Sequence, residues 1–229
     1  ELDPFIFTGF NLINMNNINY KGAIFDMDGT LLDSMYLWDI NCNKYLTDRN
    51  IEPEPNLAQV FKEKTLTESA AYYQQRYKIT DSIEKICDDI NNMIEYSYTH
   101  DVEKKPGVIA FLEHLKKNNV KMYVCSATDS GLMKKALKFA GILDYFEGVI
   151  STQDTGISKR EPDVYDRATS AMGLTRKDVH IFEDSYYAIE TCYKAGYHVS
   201  AMADRSSFED ADNIKKIVDN YVSSFEELI

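Results

Sequence analysis

Gly22-Ala23-Ile24-Phe25-Asp26-Met27-Asp28-Gly29-Thr30-Leu31-Leu32-Asp33-Ser34 is the stretch that decides how this chain is read. Its short apolar run, Ala23 to Phe25, predicts a buried strand that stops at two carboxylates and a Gly-Thr turn. Open α/β sheets bind ligands beyond the carboxyl ends of their strands, so Asp26 and Asp28 are expected at the mouth of a crevice. Two like charges this close repel unless a proton or a cation lies between them. The pair therefore asks for a hard cation such as Mg²⁺, which takes carboxylate and carbonyl oxygens and keeps several waters.

Working outward, 229 residues suffice for one large domain, or for a domain with a small insertion. The net charge of −12 argues against nucleic acid or an anionic membrane surface as the main partner. An anionic substrate must then be received by a local cluster of positive groups. Cys42, Cys87, Cys125 and Cys192 are widely spaced and form no Cys-x-x-Cys pair, which suits a reduced, cytoplasmic setting. No apolar run approaches the ~18 residues that span a membrane. Residues 1–18 read as an N-terminal leader, and 1–14, without periodicity or the pattern of a signal peptide, are suspected of not being native. Oligomeric state is left open, with a slight preference for a monomer.

Between Ser34 and about residue 104 the pattern is helical throughout. Trp38, Cys42 and Tyr45 make one stripe; Leu57, Val60 and Phe61 begin a short helix; Leu66, Ala70, Tyr73 and Tyr77 make a third. Ile83, Ile86, Cys87, Ile90 and Ile94 form the clearest stripe, with Asp81 and Glu84 expected as its capping box. Pro106 then opens a helix through Leu115, and strands alternate with helices from there on. Strands are expected at Met122–Cys125, Val149–Ile150, Val179–Phe182, His198–Met202 and Ile217–Val222. Helices are expected over Ser130–Ala140, Asp163–Met172 and Tyr186–Ala195. This alternation predicts an α/β fold, a Rossmann-like, doubly wound parallel sheet. The core would comprise residues 19–33 and 104–229, with a four-helix cap, 34–103, inserted after the first strand. Because that strand must rejoin the later sheet, the cap is expected as a lid beside Asp26 and Asp28.

Three further segments carry polar groups at strand ends or helix entrances. Met122-Tyr123-Val124-Cys125 runs into Ser126-Ala127-Thr128-Asp129, where a hydroxyl and free N–H groups suit a phosphate oxygen. Ser158-Lys159-Arg160-Glu161-Pro162-Asp163 places a lysine at a helix entrance. Val179-His180-Ile181-Phe182-Glu183-Asp184-Ser185 is a second apolar strand ending in acids. Each has an ordinary reading alone, as an N-cap, a solvated basic pair or a surface acid pair. Together with the opening stretch they resemble, in order, the four motifs of the haloacid dehalogenase superfamily, in its branch with a helical cap that includes β-phosphoglucomutase and phosphoglycolate phosphatase. The third motif departs from the usual pattern, with Arg160 where that family often has proline.

The resemblance implies a Mg²⁺-dependent phosphatase acting on a small phosphorylated metabolite through an aspartyl-phosphate. Asp26 would be the nucleophile, and Asp28 would protonate the leaving oxygen and activate water. Ser126 and Lys159 would complete the catalytic set. Phosphate would be held by Asp26, Met27, Asp28, Ser126, Ala127 and Lys159, and the metal by Asp26, the Asp28 carbonyl, Glu183 and Asp184. A mutase of the β-phosphoglucomutase type would use the same core. Its lid typically carries Gly-x-Ser-Arg for a distal phosphate, whereas Phe61 to Ser69 here contains neither Gly nor Arg, which favours the phosphatase. A catalytically inactive binding protein ranks lower, because all four motif positions carry workable chemistry. Tyr36, Trp38, Lys62 and Lys64 are candidates for substrate contact. His100, His114, His180 and His198 are scattered, which disfavours a metal cluster or a His-based triad, and no phosphate-binding Gly-rich loop appears, which removes the usual reason to expect a dinucleotide or nucleoside triphosphate. The partner that the resemblance implies is a small phosphate ester.

Overall fold

The computed structural model describes residues 19–61 and 64–229, less the side chains of Trp38 and Asp39. The expected leader and Lys62 lie outside the described residues. Strand β1 (Gly22–Phe25) is followed by four helices, α1 (Met35–Thr47), α2 (Leu57–Phe61), α3 (Leu66–Tyr77) and α4 (Ile83–Tyr98). Then come α5 (Val108–Lys117), β2 (Lys121–Ser126), α6 (Ser130–Phe139), β3 (Gly148–Ser151), α7 (Thr152–Thr155) and α8 (Asp163–Ala171). The chain closes with β4 (Val179–Glu183), α9 (Tyr186–Lys194), β5 (His198–Met202), α10 (Ala211–Ile214) and β6 (Asn220–Val222). The six strands form one parallel sheet in the order β3-β2-β1-β4-β5-β6. This is the doubly wound, Rossmann-like arrangement expected.

Alternation along the strands sorts side chains between two cores, because successive residues face opposite sides of a sheet. Ala23, Phe25, Met122, Val124 and Phe182 face α5 and α6, where Phe25 stacks on Phe182 with ring centroids 4.6 Å apart. Ile24, Cys125, Ile181, Val199 and Ala201 face α8, α9 and α10. The first core continues into the helical insert through Leu37, Tyr45, Tyr73, Ile86, Ile90 and Ile94. The two segments that join the insert to the sheet lie side by side. The Asp33 N–H donates to the Glu103 carbonyl (2.9 Å) and the Lys105 N–H to the Leu31 carbonyl (3.0 Å). At their base the Lys105 ammonium sits 2.6 Å from Asp204 and 3.5 Å from Asp33.

Two local expectations are corrected. The cap of α4 is Ser82, whose hydroxyl accepts from the Lys85 N–H at 3.2 Å; Asp81 turns to Arg49, 3.6 Å away. An N-cap is the extended residue directly before the first turn, and that residue is Ser82. A reciprocal capping box does occur, between Thr65 and Glu68 of α3. The last strand is shorter than Ile217–Val222: the Ile217 N–H still bonds to the Ile214 carbonyl (3.0 Å) as α10 unwinds, and pairing begins only at Asn220.

His180 lies within β4, 6 % exposed, with Nε2 2.8 Å from the Ser200 hydroxyl. Burial pushes its pKa down to about 4. The unfolded chain therefore binds this proton more readily, so the stability contribution is complete above the unfolded value near 6.5 and is lost as pH falls toward 4. Denaturant unfolding of the parent is expected to show about 1.3 kcal/mol less stability from this group at pH 5.5 than at pH 7.5. His180→Gln should flatten that part of the profile; an unaltered profile would rule His180 out as its source.

Candidate active site

The strand registers decide which polar residues meet. Phe25, the end of β1, lies beside Val124 on one side and Phe182 on the other; β4 runs one residue further and β2 two. The next residues on β1 and β4 are Asp26 and Glu183, and the Asp26 N–H donates to the Phe182 carbonyl at 2.9 Å. Beyond Asp26 the backbone turns sharply, with the Leu31 and Leu32 N–H groups both on the Met27 carbonyl. This turn places Asp28 under the insert and drives Met27 into the core, fully buried, so that only its backbone could touch a ligand.

The Lys159 ammonium, from the entrance of α8, is 5 % exposed and binds both Asp26 Oδ1 and Glu183 Oε1. Burial alone would push its pKa down, but the two carboxylates outweigh burial and hold it well above the ordinary lysine value. Burial raises the Asp26 carboxyl; Lys159 opposes that, and the like charges of Glu183 and Asp28 reinforce it. Burial also raises Asp184, followed by the charges of Glu183, Asp26 and Asp204. Glu183 is fully enclosed; its Oε2 accepts the N–H groups of Asp184 (2.8 Å) and Ser185 (3.0 Å). Oxygens of Asp26, Glu183 and Asp184 lie within 4.8 Å of one another. Buried Asp26 and Asp184, whose ionisation is opposed by their surroundings, lie beside Glu183 and offer hard oxygens that fit a divalent cation such as Mg²⁺. Glu183 is held by an ammonium and two N–H groups, whereas among the described residues Asp184 accepts only long hydroxyl bonds from Ser185 and Ser206 (3.3 Å each), so Asp26 and Asp184 are the freer ligands.

Asp28 is gripped from several sides. Its Oδ1 accepts from the Ser34 hydroxyl (2.6 Å) and from the Tyr98 phenol, and its Oδ2 accepts from Thr128 Oγ1 (2.8 Å) and more weakly from Ser126 Oγ (3.4 Å). Tyr98 is the last residue of α4, so a residue of the insert holds the acid of the sheet. Above these groups is a cavity of about 760 Å³, bordered by Asp26, Asp28, Ser126, Ala127 and Lys159 on the sheet side and by α1 to α4 opposite. Lys64, Arg160 and Arg205 border it as well, a local basic cluster in a chain of net charge −12. Of the other contact candidates, Tyr36 stacks under Arg205, whose guanidinium carbon is 5.8 Å from the ring centre.

A family model described as haloacid dehalogenase-like hydrolase matches residues 23–202. The chain belongs to that family. Hexitol phosphatase A of Escherichia coli is 26 % identical over 184 residues, covering 80 % of this chain and 82 % of its own. Among solved structures, CbbY from Rhodobacter sphaeroides in complex with phosphate superposes with a TM-score of 0.78 at 16 % identity, over 91 % of this chain and 96 % of that one. β-Phosphoglucomutase from Clostridium difficile gives 0.74 at 18 % identity, over 92 % and 93 %. The fold is thus that of the haloacid dehalogenase-like hydrolases, and the enzyme class expected, a phosphatase of this family, agrees with the curated relative.

Within this hydrolase fold, the residues picked out in the sequence converge: Asp26, Asp28, Ser126, Lys159, Glu183 and Asp184 come from three strand ends and one helix entrance. Sequence reasoning passed over Ser34, Thr128 and Tyr98. The first two lie inside stretches already quoted. Tyr98 carried a fainter signal, as the polar-tipped end of the Ile86, Ile90, Ile94 stripe, one helical step further on. Gly29 also acquires a reason. It has φ +81°, and a Cβ there would lie 2.5 Å from Asp184 Oδ2. Gly29→Ala is expected to destabilise the protein by about 1–2 kcal/mol from backbone strain alone. Displacement of Asp184 should also raise the Mg²⁺ concentration for half-maximal activity at least tenfold. A magnesium titration of phosphate release together with thermal melts checks both; an unshifted titration would show that Asp184 keeps its place.

Proposed function

We propose that this hydrolase is a Mg²⁺-dependent phosphatase that cleaves a small phosphorylated metabolite, of the sugar-phosphate kind, through an aspartyl-phosphate on Asp26. The observation that carries the reading is the buried Asp26 carboxylate at the cavity floor, paired with the equally buried Lys159 ammonium beside Ser126 and Asp28. Phosphoryl transfer needs little from a protein beyond positioning and charge stabilisation, and these residues supply both. A cation held by Asp26, Asp184 and the Asp28 carbonyl, with Glu183 beside it, would supply relief of the repulsion between carboxylate and phosphate.

An Asp26 oxygen attacks phosphorus as the bond to the ester oxygen breaks, and Asp28 gives that oxygen its proton. Water then attacks the phosphorus of the acyl phosphate, yields its proton to Asp28 and frees the Asp26 carboxylate. Lys159 and the Ser126 hydroxyl hold the phosphoryl oxygens through both displacements. Helices α1–α4 act as the cap that closes the cavity, inserted between the first strand and the rest of the core. The four cysteines are thiols, as suits a reduced cytoplasmic setting. No helix among the described residues is long and apolar enough to cross a membrane.

Phosphate release is to be measured over hexose phosphates, polyol phosphates, phosphoglycolate and nucleotides, with and without Mg²⁺. Release from a sugar- or polyol-type ester is expected, falling at least 100-fold with a chelator and returning on addition of Mg²⁺. Glucose 6-phosphate formed from β-glucose 1-phosphate and its bisphosphate, faster than free phosphate, would instead establish a mutase. The insert counts against that outcome: Lys64 is its one basic residue at the cavity among the described residues, and lysine lacks the bidentate fork that grips a second phosphate.

A further inference from the structure

The wall that the helical insert presents to the catalytic carboxylates mixes apolar and neutral polar side chains and is almost uncharged. Asn41 of α1, Asn56 and Gln59 around the start of α2, and Thr67 and Ser69 of α3 border the cavity. Asn41 differs from the rest. It is 5 % exposed, and its amide nitrogen Nδ2 has no hydrogen-bond partner among the described residues. A buried donor without an acceptor opposes folding, and native structures leave few of them. Leucine branches at Cγ in the same way and would bring no stranded donor, so asparagine here points to a partner that arrives with the ligand.

The partner's chemistry follows from the donor. The terminal torsion of asparagine is soft, so a turn about χ2 brings the NH₂ group to the cavity that the residue borders. A lone amide matches a neutral acceptor such as a hydroxyl; a second phosphate, with its charge and three terminal oxygens, would need more donors than Asn41 offers, and the insert brings a single basic residue, Lys64, to the cavity among the described residues. Tyr73 and Ile90, also at the cavity, offer surfaces for the C–H faces of a carbon chain.

We infer that Asn41 determines specificity by bonding a hydroxyl on the substrate's carbon chain, which makes the substrate a monophosphate of a polyhydroxylated compound, a polyol or a sugar. The inference rests on the phosphatase reading for the placement of the phosphate end, against Lys159 and Ser126. A site built to bond a hydroxyl rejects an analogue without one, because its own donor is then stranded.

Binding separates this inference from turnover. In an Asp26→Asn background with Mg²⁺ present, calorimetry compares glucitol 6-phosphate with n-hexyl phosphate, an ester of equal length that has no hydroxyls. Glucitol 6-phosphate is expected to bind about 100-fold more tightly, and adding Asn41→Leu is expected to lower that ratio about tenfold. The leucine variant should also melt at a higher temperature, since the stranded donor is gone; should it fail to fold, Asn41→Ala decides by the same ratio. A ratio within threefold of unity in the Asp26→Asn protein, or one that Asn41→Leu changes by less than threefold, overturns the inference. Failure of the unsubstituted protein to release phosphate from any ester would overturn the phosphatase reading instead, and the binding ratio would still judge Asn41.

Discussion

Asp26→Asn is expected to lower phosphate release by about 10⁴-fold or more, as loss of a covalent nucleophile does, while raising the melting temperature. The second half follows from the environment of the carboxyl. Burial raises its pKa, the charges of Glu183 and Asp28 add to that, and Lys159 only partly offsets them. A carboxyl whose folded pKa exceeds its unfolded value weighs against folding once pH is above both, because the unfolded chain gives up the proton more easily. A neutral amide of the same shape removes that burden. Melts in metal-free buffer should therefore show the largest gain near pH 7.5 and a smaller one near pH 4. Turnover within tenfold of the parent would mean that another residue attacks phosphorus. Activity and stability are set against each other at this position, as is common where a site gathers like charges.

Lys159→Met has the opposite sign. Removing the ammonium leaves Asp26 and Glu183 buried without their shared partner, and breaking a buried pair from one side costs about 3–5 kcal/mol. Denaturant unfolding at pH 7.5 is expected to show a loss of that size. The raised lysine pKa means that the parent keeps this stabilisation at neutral pH and loses it only as pH rises through the folded lysine value, above about 10.4; on the acid side it fades as the Asp26 carboxyl takes up its proton. In the variant, stability should recover as pH falls, because protonation of the stranded Asp26 carboxyl removes its charge. Phosphate release should be lost together with stability. A variant within 1 kcal/mol of the parent at pH 7.5 would sink the view of Lys159 as the charge that holds these acids together.

The sheet and the site were legible to different depths. Apolar runs such as Ala23–Phe25 and Val179–Phe182 name strands because only a doubly covered sheet can bury every residue of a run. Acids immediately after such runs name a site because strand ends converge. Asp26, Glu183 and Lys159 could be collected from separate parts of the chain on that ground, before any distance was known. What escaped was set by register and by helix ends. Ile217 looked like part of a strand because it is apolar and β-branched, but the backbone there is still completing a helical turn. Asp81 looked like a cap because serine and aspartate serve equally at that position, and one residue of offset is invisible in composition. Tyr98 escaped because its partner, Asp28, is 70 residues away and nothing local marks the meeting. The stranded amide of Asn41 is likewise a fact about packing, without any trace in the residues beside it.

The strand order also bears on how the chain comes to be folded. β1 is central in the sheet, yet its two partners lie roughly 100 and 157 residues further along, at Lys121 and Val179. A ribosome therefore releases the strand that leads into Asp26 long before either neighbour exists, and the second side of β1 stays unpaired until β4 has emerged. Pairings across such separations close slowly, and an apolar strand with open edges is a template for other chains in the meantime. The insert enters as a spacer whose two ends are held together by the Asp33–Glu103 and Leu31–Lys105 bonds. Closing that clasp early shortens the effective distance from β1 to β2, and loop-closure entropy makes the saving modest but real. The place of Asp26 at the middle of the sheet, which gives it neighbours on both sides, makes it among the last residues to find its surroundings.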